Sequence, residues 1–138
     1  MQKYKLALLL LLTAFLASSC GWLNGPEKDA PLTGTKWQLL FRSLPNQPSS
    51  GGGGNEYSLV LDEAGGVSGQ ASCNSCGGHY MLSAPDSIEF EIGCTEIACQ
   101  DGWISTPFPV GKAACAIDGS SLTLRSADGS VFFFLAVE

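Results

Sequence analysis

The sequence predicts a mostly β fold: a small antiparallel β-barrel or two-sheet domain with little helix. Three observations predict it. Apolar residues recur at every second position in short segments, the period of a half-buried strand. Turn signals built from Gly, Pro and Asp separate those segments at regular intervals. Charged residues make up only 14% of the chain, whereas a helical bundle draws heavily on Glu, Lys and Leu. The length, 138 residues, suits one domain and not two.

The strands come in order along the chain. Residues 35–41 hold Trp37 and Leu39 on one face. Residues 57–61 put Tyr57, Leu59 and Leu61 on one face, with Ser58 and Val60 on the other. Glu63, Ala64, Gly65 and Gly66 turn the chain into residues 67–71. A segment at 79–82 reaches a turn at Ala84, Pro85 and Asp86. Residues 87–92 alternate, with Ile88, Phe90 and Ile92 inward and Glu89 and Glu91 outward. Residues 113–117 meet 122–124 through Asp118 and Gly119. Ala127, Asp128 and Gly129 lead into residues 131–137, which are apolar on both faces. The run Phe132, Phe133, Phe134 would aggregate on an open edge, so it belongs in a central or covered position. This patterning describes an antiparallel sheet that is closed or nearly so.

Two stretches read as loops. Residues 43–56 contain Pro45, Pro48 and the glycine run 51–54; they are too polar and Gly-rich to pack and read as a long mobile loop. In residues 100–110, Pro107 and Pro109 forbid a long helix and Gly102 weakens a short one. A loop with at most one helical turn is expected there, with Trp103 and Phe108 packing onto the sheet.

The first residues carry a different signal. Lys3 and Lys5 precede an apolar run over residues 6–17, broken only by Thr13. The run falls short of the roughly 20 residues that cross a bilayer. A positive head, a short apolar run and small residues after it make a secretory signal. Ala17, Ser18, Ser19 and Cys20 resemble the bacterial lipobox, with Leu16 one place further back than the usual leucine. The resemblance implies a signal peptide over 1–19 and a lipid such as palmitate on Cys20. An ordinary cleaved signal with an incidental Cys20 is the alternative. Residues 20–32, with Gly25, Pro26 and Pro31, then read as a flexible tether to a domain over 33–138. Gly21, rather than Asp, after Cys20 implies outer-membrane delivery in a diderm host, facing the periplasm or the cell surface.

Charge narrows the partners. The formal net charge is -6, and cleavage after residue 19 would remove Lys3 and Lys5, leaving five basic residues against thirteen acidic ones. Nucleic acid demands clustered Lys and Arg, so no nucleic-acid partner is expected. The sequence also shows no basic run to hold an anionic membrane surface. Membrane attachment is expected through the N-terminal lipid alone.

The ordered landmarks of the domain resemble the META domain family, also called HslJ-like. Trp37 sits in the first strand. Gly69 precedes Ser72, Cys73 and Asn74, similar to the family's Gly-Cys-Asn; Gly78 and Tyr80 match its Gly-x-Tyr. Thr95 and Cys99 match its Thr-x-x-x-Cys, and Leu122, Thr123, Leu124, Gly129 and Phe132 match its closing hairpin. The departures are Ser72 in place of Gly, a Pro-containing loop in place of the helix after Cys99, and two extra cysteines, Cys76 and Cys94. The resemblance implies an envelope or secreted protein with no known enzyme activity, some members being linked to heat shock, antibiotic tolerance or virulence.

Five cysteines remain beyond Cys20: Cys73, Cys76, Cys94, Cys99 and Cys115. An exported domain meets an oxidising compartment, where thiols pair, and an odd number leaves at least one over. Cys73 and Cys76 read as one loop, Cys94 and Cys99 as the next. Nesting the extra pair inside the family pair gives Cys73–Cys99 and Cys76–Cys94, with Cys115 a buried free thiol. Two readings stay open beside this one. Cys73, Cys76, His79, Cys94 and Cys99 superficially supply zinc ligands, although the four-residue gap before Cys99 is loose for a knuckle. Cys73 and Cys76 also have thiol–disulfide exchange spacing, but Gly77 and Gly78 stand where that chemistry places a helix.

Other chemistry is thinly represented. The glycine run 51–54 lacks the Lys-Ser and helix of a phosphate loop. The sole histidine, His79, has no Gly-x-Ser-x-Gly partner and reads as a half-exposed strand residue. Glu89 and Glu91 read as solubilising residues, and Asn74 as a residue that turns or caps its loop. No cofactor and no catalytic residue are expected. The expected protein is a monomeric, non-enzymatic envelope lipoprotein that binds another envelope protein or a small ligand, or has a stress-related structural role. Its binding surface would be the cysteine-tied loops and the Trp103 region. The alternative is a thiol–disulfide or zinc-handling protein working through Cys73 and Cys76.

Overall fold

The structure, a computed structural model, describes residues 28–51, 56–99 and 107–138. The signal peptide, Cys20, most of the glycine run and Trp103 lie outside the described residues.

The strands among these residues are β1 (Lys36–Ser43), β2 (Ser50–Gly51), β3 (Tyr57–Leu61), β4 (Gly66–Ala71), β5 (Asn74–Ala84), β6 (Ser87–Cys94), β7 (Gly111–Asp118), β8 (Ser121–Ser126) and β9 (Val131–Val137). There is no α-helix among the described residues. From β3 to β9 each strand pairs antiparallel with the next, and β9 returns to β1, from Lys36↔Val137 to Ser43↔Val131. β1 pairs with β3 over Lys36–Gln38, which closes an eight-stranded barrel, and β2 adds a short extra strand beside Phe41 and Arg42.

Closure follows from the alternation. Trp37, Leu39, Leu59, Leu61, Ile88, Leu122, Leu124, Phe132 and Phe134 point inward and are fully or almost fully buried. Each contributes roughly 1.5–3 kcal/mol by leaving water. Trp37 also donates its indole N–H to the Leu32 carbonyl at 3.0 Å, so its polar edge is satisfied inside the core. Both edges of β9 are paired, which takes the Phe run off any open edge.

Three sequence expectations are corrected. The loop expected over 43–56 contains β2, drawn onto β1 where Arg42 Nε donates to Ser50 Oγ at 3.2 Å. Asn74 to Cys76, read as a loop with Cys73, are the start of the long β5; the absent side chain of Gly78 is what lets β6 pair so closely. Residues 29–32, assigned to the tether, belong to the barrel. Ala30 N–H donates to the Gly119 carbonyl at 2.8 Å, and Asp29 Oδ1 accepts from Gly119 N–H at 2.8 Å.

A β-bulge at Leu40 changes which way the rest of β1 faces. Leu39 lies opposite Phe134, but Phe41 lies opposite Phe133, so Leu40 is the extra residue. Phe41 is thereby turned outward, where its ring stacks on Phe133 at 5.2 Å, and Arg42 is turned inward beside Phe132.

The two ends of the barrel differ. One end has the 28–35 segment, the β7–β8 turn at Gly119 and the end of β9. The other has the β4–β5 corner at Ser72 and Cys73, the end of β6 and the β8–β9 turn. Phe108 covers this second end from inside, its ring stacked on Phe134 at 6.4 Å.

The cystine-tied corner as candidate functional site

The residues that the sequence singled out converge on the corner between β4 and β5. Ser72 turns that corner with φ of 56°, in the left-handed region that favours glycine. Ser72 is held in place by its N–H donating to the Glu56 carbonyl at 2.8 Å and by Gln70 Nε2 donating to its own carbonyl at 2.7 Å.

Two disulfides tie the corner to the end of β6 and the residues after it: Cys73–Cys99 and Cys76–Cys94. Cys76 is not in a loop, as the sequence suggested. It faces into the barrel from β5, directly opposite Cys94 on β6. Only the Cys73–Cys99 bridge joins segments outside the ladder, and the Cys73 N–H also donates to Cys99 Sγ at 3.2 Å.

Between the bridges lies Asn74, fully buried. It does more than turn its loop. Its Oδ1 accepts from Ile97 N–H at 2.7 Å and from Thr95 Oγ1 at 2.9 Å, while Nδ2 donates to the Ile97 carbonyl at 3.0 Å. A side-chain amide here plays the part of a strand's peptide group for a segment that has no strand partner of its own. Thr95 completes the lock: its Oγ1 accepts from Ser75 N–H at 3.2 Å and its N–H donates to the Ser75 carbonyl at 3.0 Å. Every buried side-chain polar atom among the described residues has a partner.

Gly78 and Tyr80 lie further along β5, away from the corner. A Cβ on Gly78 would collide with the Glu91 carbonyl, and one on Gly69 would lie 2.6 Å from the Ser58 carbonyl. Tyr80 donates its hydroxyl to the Asp62 carbonyl at 2.7 Å. Burial, then Asp62 and Glu63, push the Tyr80 phenol up from its usual range.

The remaining candidates lie apart. Cys115 points inward from β7 and is half-buried, not fully buried; burial first and Asp86 second raise its thiol above the ordinary value. It is the unbridged cysteine among the described residues. His79 is exposed opposite Glu91 on the outer wall, and Lys112 lies 4.0 Å from Glu89 beside it. His79, Met81, Glu89, Glu91 and Val110 line a shallow hollow of about 360 Å³ there. No trio of His, Cys, Asp or Glu able to hold a metal occurs among the described residues. The exchange reading needs Cys73 and Cys76 to bridge each other, and each is bridged elsewhere.

Sequence reasoning did not single out Arg42. Its inward turn follows from the bulge, which no residue pattern announced. Burial pulls its guanidinium below the usual value, with Tyr57 opposing.

A small closed antiparallel barrel with a cystine-tied, Asn-clamped corner defines the class of domain. The META domain profile matches residues 30–138, and the chain belongs to the META domain family. A protein of solved NMR structure from Burkholderia xenovorans has a similar fold, with a TM-score of 0.56 and 17% identity over 85% of this chain and 94% of that one. Comparison with curated proteins finds no match.

Proposed function

We propose that this chain is a lipid-anchored, non-enzymatic envelope protein whose META domain binds another envelope component through its cystine-tied corner. One observation carries the reading: the corner lies at the end of the barrel opposite the point where residues 28–35 lead in from the N-terminus. A domain hung from Cys20 would then hold Ser75, Glu96 and Ile97 away from its attachment. Ile97 is 59% exposed although its backbone is clamped, so an apolar side chain is presented on a fixed support. The signal-like residues 1–19 and the oxidised cysteines support export, because disulfides persist in oxidising compartments. In a diderm host the anchor would sit in the outer membrane, and a role under stress fits a corner that two covalent bonds keep from opening.

The test has two parts. Metabolic labelling with an alkyne fatty acid should mark the wild-type protein and not Cys20→Ser. A photoreactive residue at Ser75 should give a discrete crosslink in intact cells, and the same residue at Ser121, at the other end, should not. An unlabelled wild-type protein overturns the anchor; equal crosslinking from both ends overturns the binding corner.

A further inference from the structure

The outward face of β9 is apolar and only half-buried. Val131, Phe133, Leu135 and Val137 point away from the core, alternating with the inward Phe132 and Phe134. An antiparallel strand with one face in water normally carries polar residues on that face. The neighbouring β8 obeys, presenting Ser121, Thr123 and Arg125 outward, and so does β6 across the barrel, with Glu89 and Glu91. The bulge in β1 extends the apolar stripe, since it turns Phe41 out against Phe133 and leaves Leu40 and Phe41 39% and 40% exposed.

Charge is segregated across the same wall. The strand acids, Glu89, Glu91 and Asp118, all lie on β6 and β7, and β8, β9 and β1 carry none. Lys36 and Arg125 flank the stripe instead, exposed on β1 and β8. The acids nearest in sequence, Asp128 and Glu138, sit beyond the two ends of β9. No basic run exists in the sequence, but closure of the barrel brings these two cations to either side of an aromatic and aliphatic stripe.

We propose that the β8–β9–β1 wall lies on the lipid bilayer to which the chain is anchored. Apolar side chains enter the interface, and Lys36 and Arg125 meet lipid phosphates. The inference rests on the Cys20 anchor. Residues 20–28, fully extended, reach about 30 Å, so the domain stays within roughly its own width of the membrane. The chain then leads directly into β1, a strand of this wall. Tethering raises the effective concentration of the surface, so a wall of weak intrinsic affinity suffices. β5 and β6, with Cys76–Cys94, lie across the barrel from β9 and β1 and therefore face away from the lipid.

The experiment uses the full chain isolated from host membranes and placed in vesicles of phosphatidylethanolamine and phosphatidylglycerol. A benzophenone amino acid stands at Phe133 or, on the opposite wall, at His79. Illumination should give lipid adducts several-fold more often at position 133. Phe41→Ser should reduce the adduct at 133 without unfolding the barrel, since that ring is already partly in water. Equal adducts at both positions, or a crosslink from 133 to a second copy of the chain or another protein, would overturn the docking. Intact mass of the same sample scores the anchor separately. An unacylated chain overturns the anchor reading and this one together; an acylated chain without adducts at 133 overturns this one alone.

Discussion

Asn74 holds both sides of the Ile97 peptide: its oxygen accepts from the Ile97 N–H at 2.7 Å and its nitrogen donates to the Ile97 carbonyl at 3.0 Å. The pairing gives a non-strand segment the two hydrogen bonds it would find in a ladder. Removing the amide strands donors and acceptors in a fully buried place. Asn74→Ala should therefore lower stability by about 2–3 kcal/mol. Urea unfolding with disulfides intact measures it; a change under about 0.5 kcal/mol would show that water replaces the amide.

The bridge Cys73–Cys99 and the Asn74 clamp restrain one segment by two means. Replacing both cysteines by alanine should lower stability by about 3 kcal/mol. Adding Asn74→Ala to that variant should lower it by less than in the wild type, because the restraints share a target. Strict additivity in the four-variant cycle would show that they act independently.

Gly78 and Gly93 lie on adjacent strands and should respond oppositely to alanine. A Cβ at Gly78 meets the Glu91 backbone, which cannot step aside without breaking the β5–β6 ladder. Gly78→Ala should reduce stability by about 3 kcal/mol or more. A Cβ at Gly93 meets nothing within 4 Å, so Gly93→Ala should raise stability by about 0.5 kcal/mol. Thermal midpoints of the two variants check the contrast.

Ser72 occupies a left-handed backbone position at φ of 56°. Ser72→Gly should relieve more strain than it adds in unfolded-state freedom, a net gain of about 0.5–1 kcal/mol. A loss of stability would mean that the Ser72 side chain has a role the backbone does not reveal.

The Cys115 thiol is raised by burial and by Asp86, so the folded protein keeps its proton to higher pH than the unfolded chain. Its contribution is fully present below the unfolded thiol value, about 8.5, and is lost as pH rises from there toward the folded value. The pH profile of maleimide labelling should be displaced to higher pH in the native state than in urea, with the wild-type protein otherwise unmodified. Coincident profiles would refute the burial.

The strands were legible where alternation was strict. Residues 87–92 and 57–61 announce their faces through Ile, Phe and Leu at every second position. β5 was half legible, because Gly77 and Gly78 are turn residues by composition, although Gly78 is a strand residue here by steric need. β2 is too short to leave a pattern. The four bridged cysteines were marked by their spacing and by an expected export, but Cys76 and Cys94 sit in a ladder, not in loops. The reach of Asn74 to Ile97 was invisible, since nothing local pairs a residue with one 23 positions away. Arg42 was hidden by a bulge, which shifts the inside–outside count by one without changing composition.

The ladder between β1 and β9 joins the first strand of the domain to its last. No part of the cylinder can be sealed until the final residues have emerged, so the polypeptide must remain open throughout synthesis and any passage through a translocation pore. Such end-to-end topology slows folding. A product shortened before Val131 would leave the flanks of β1 and β8 bare, each an invitation to pair with a stranger.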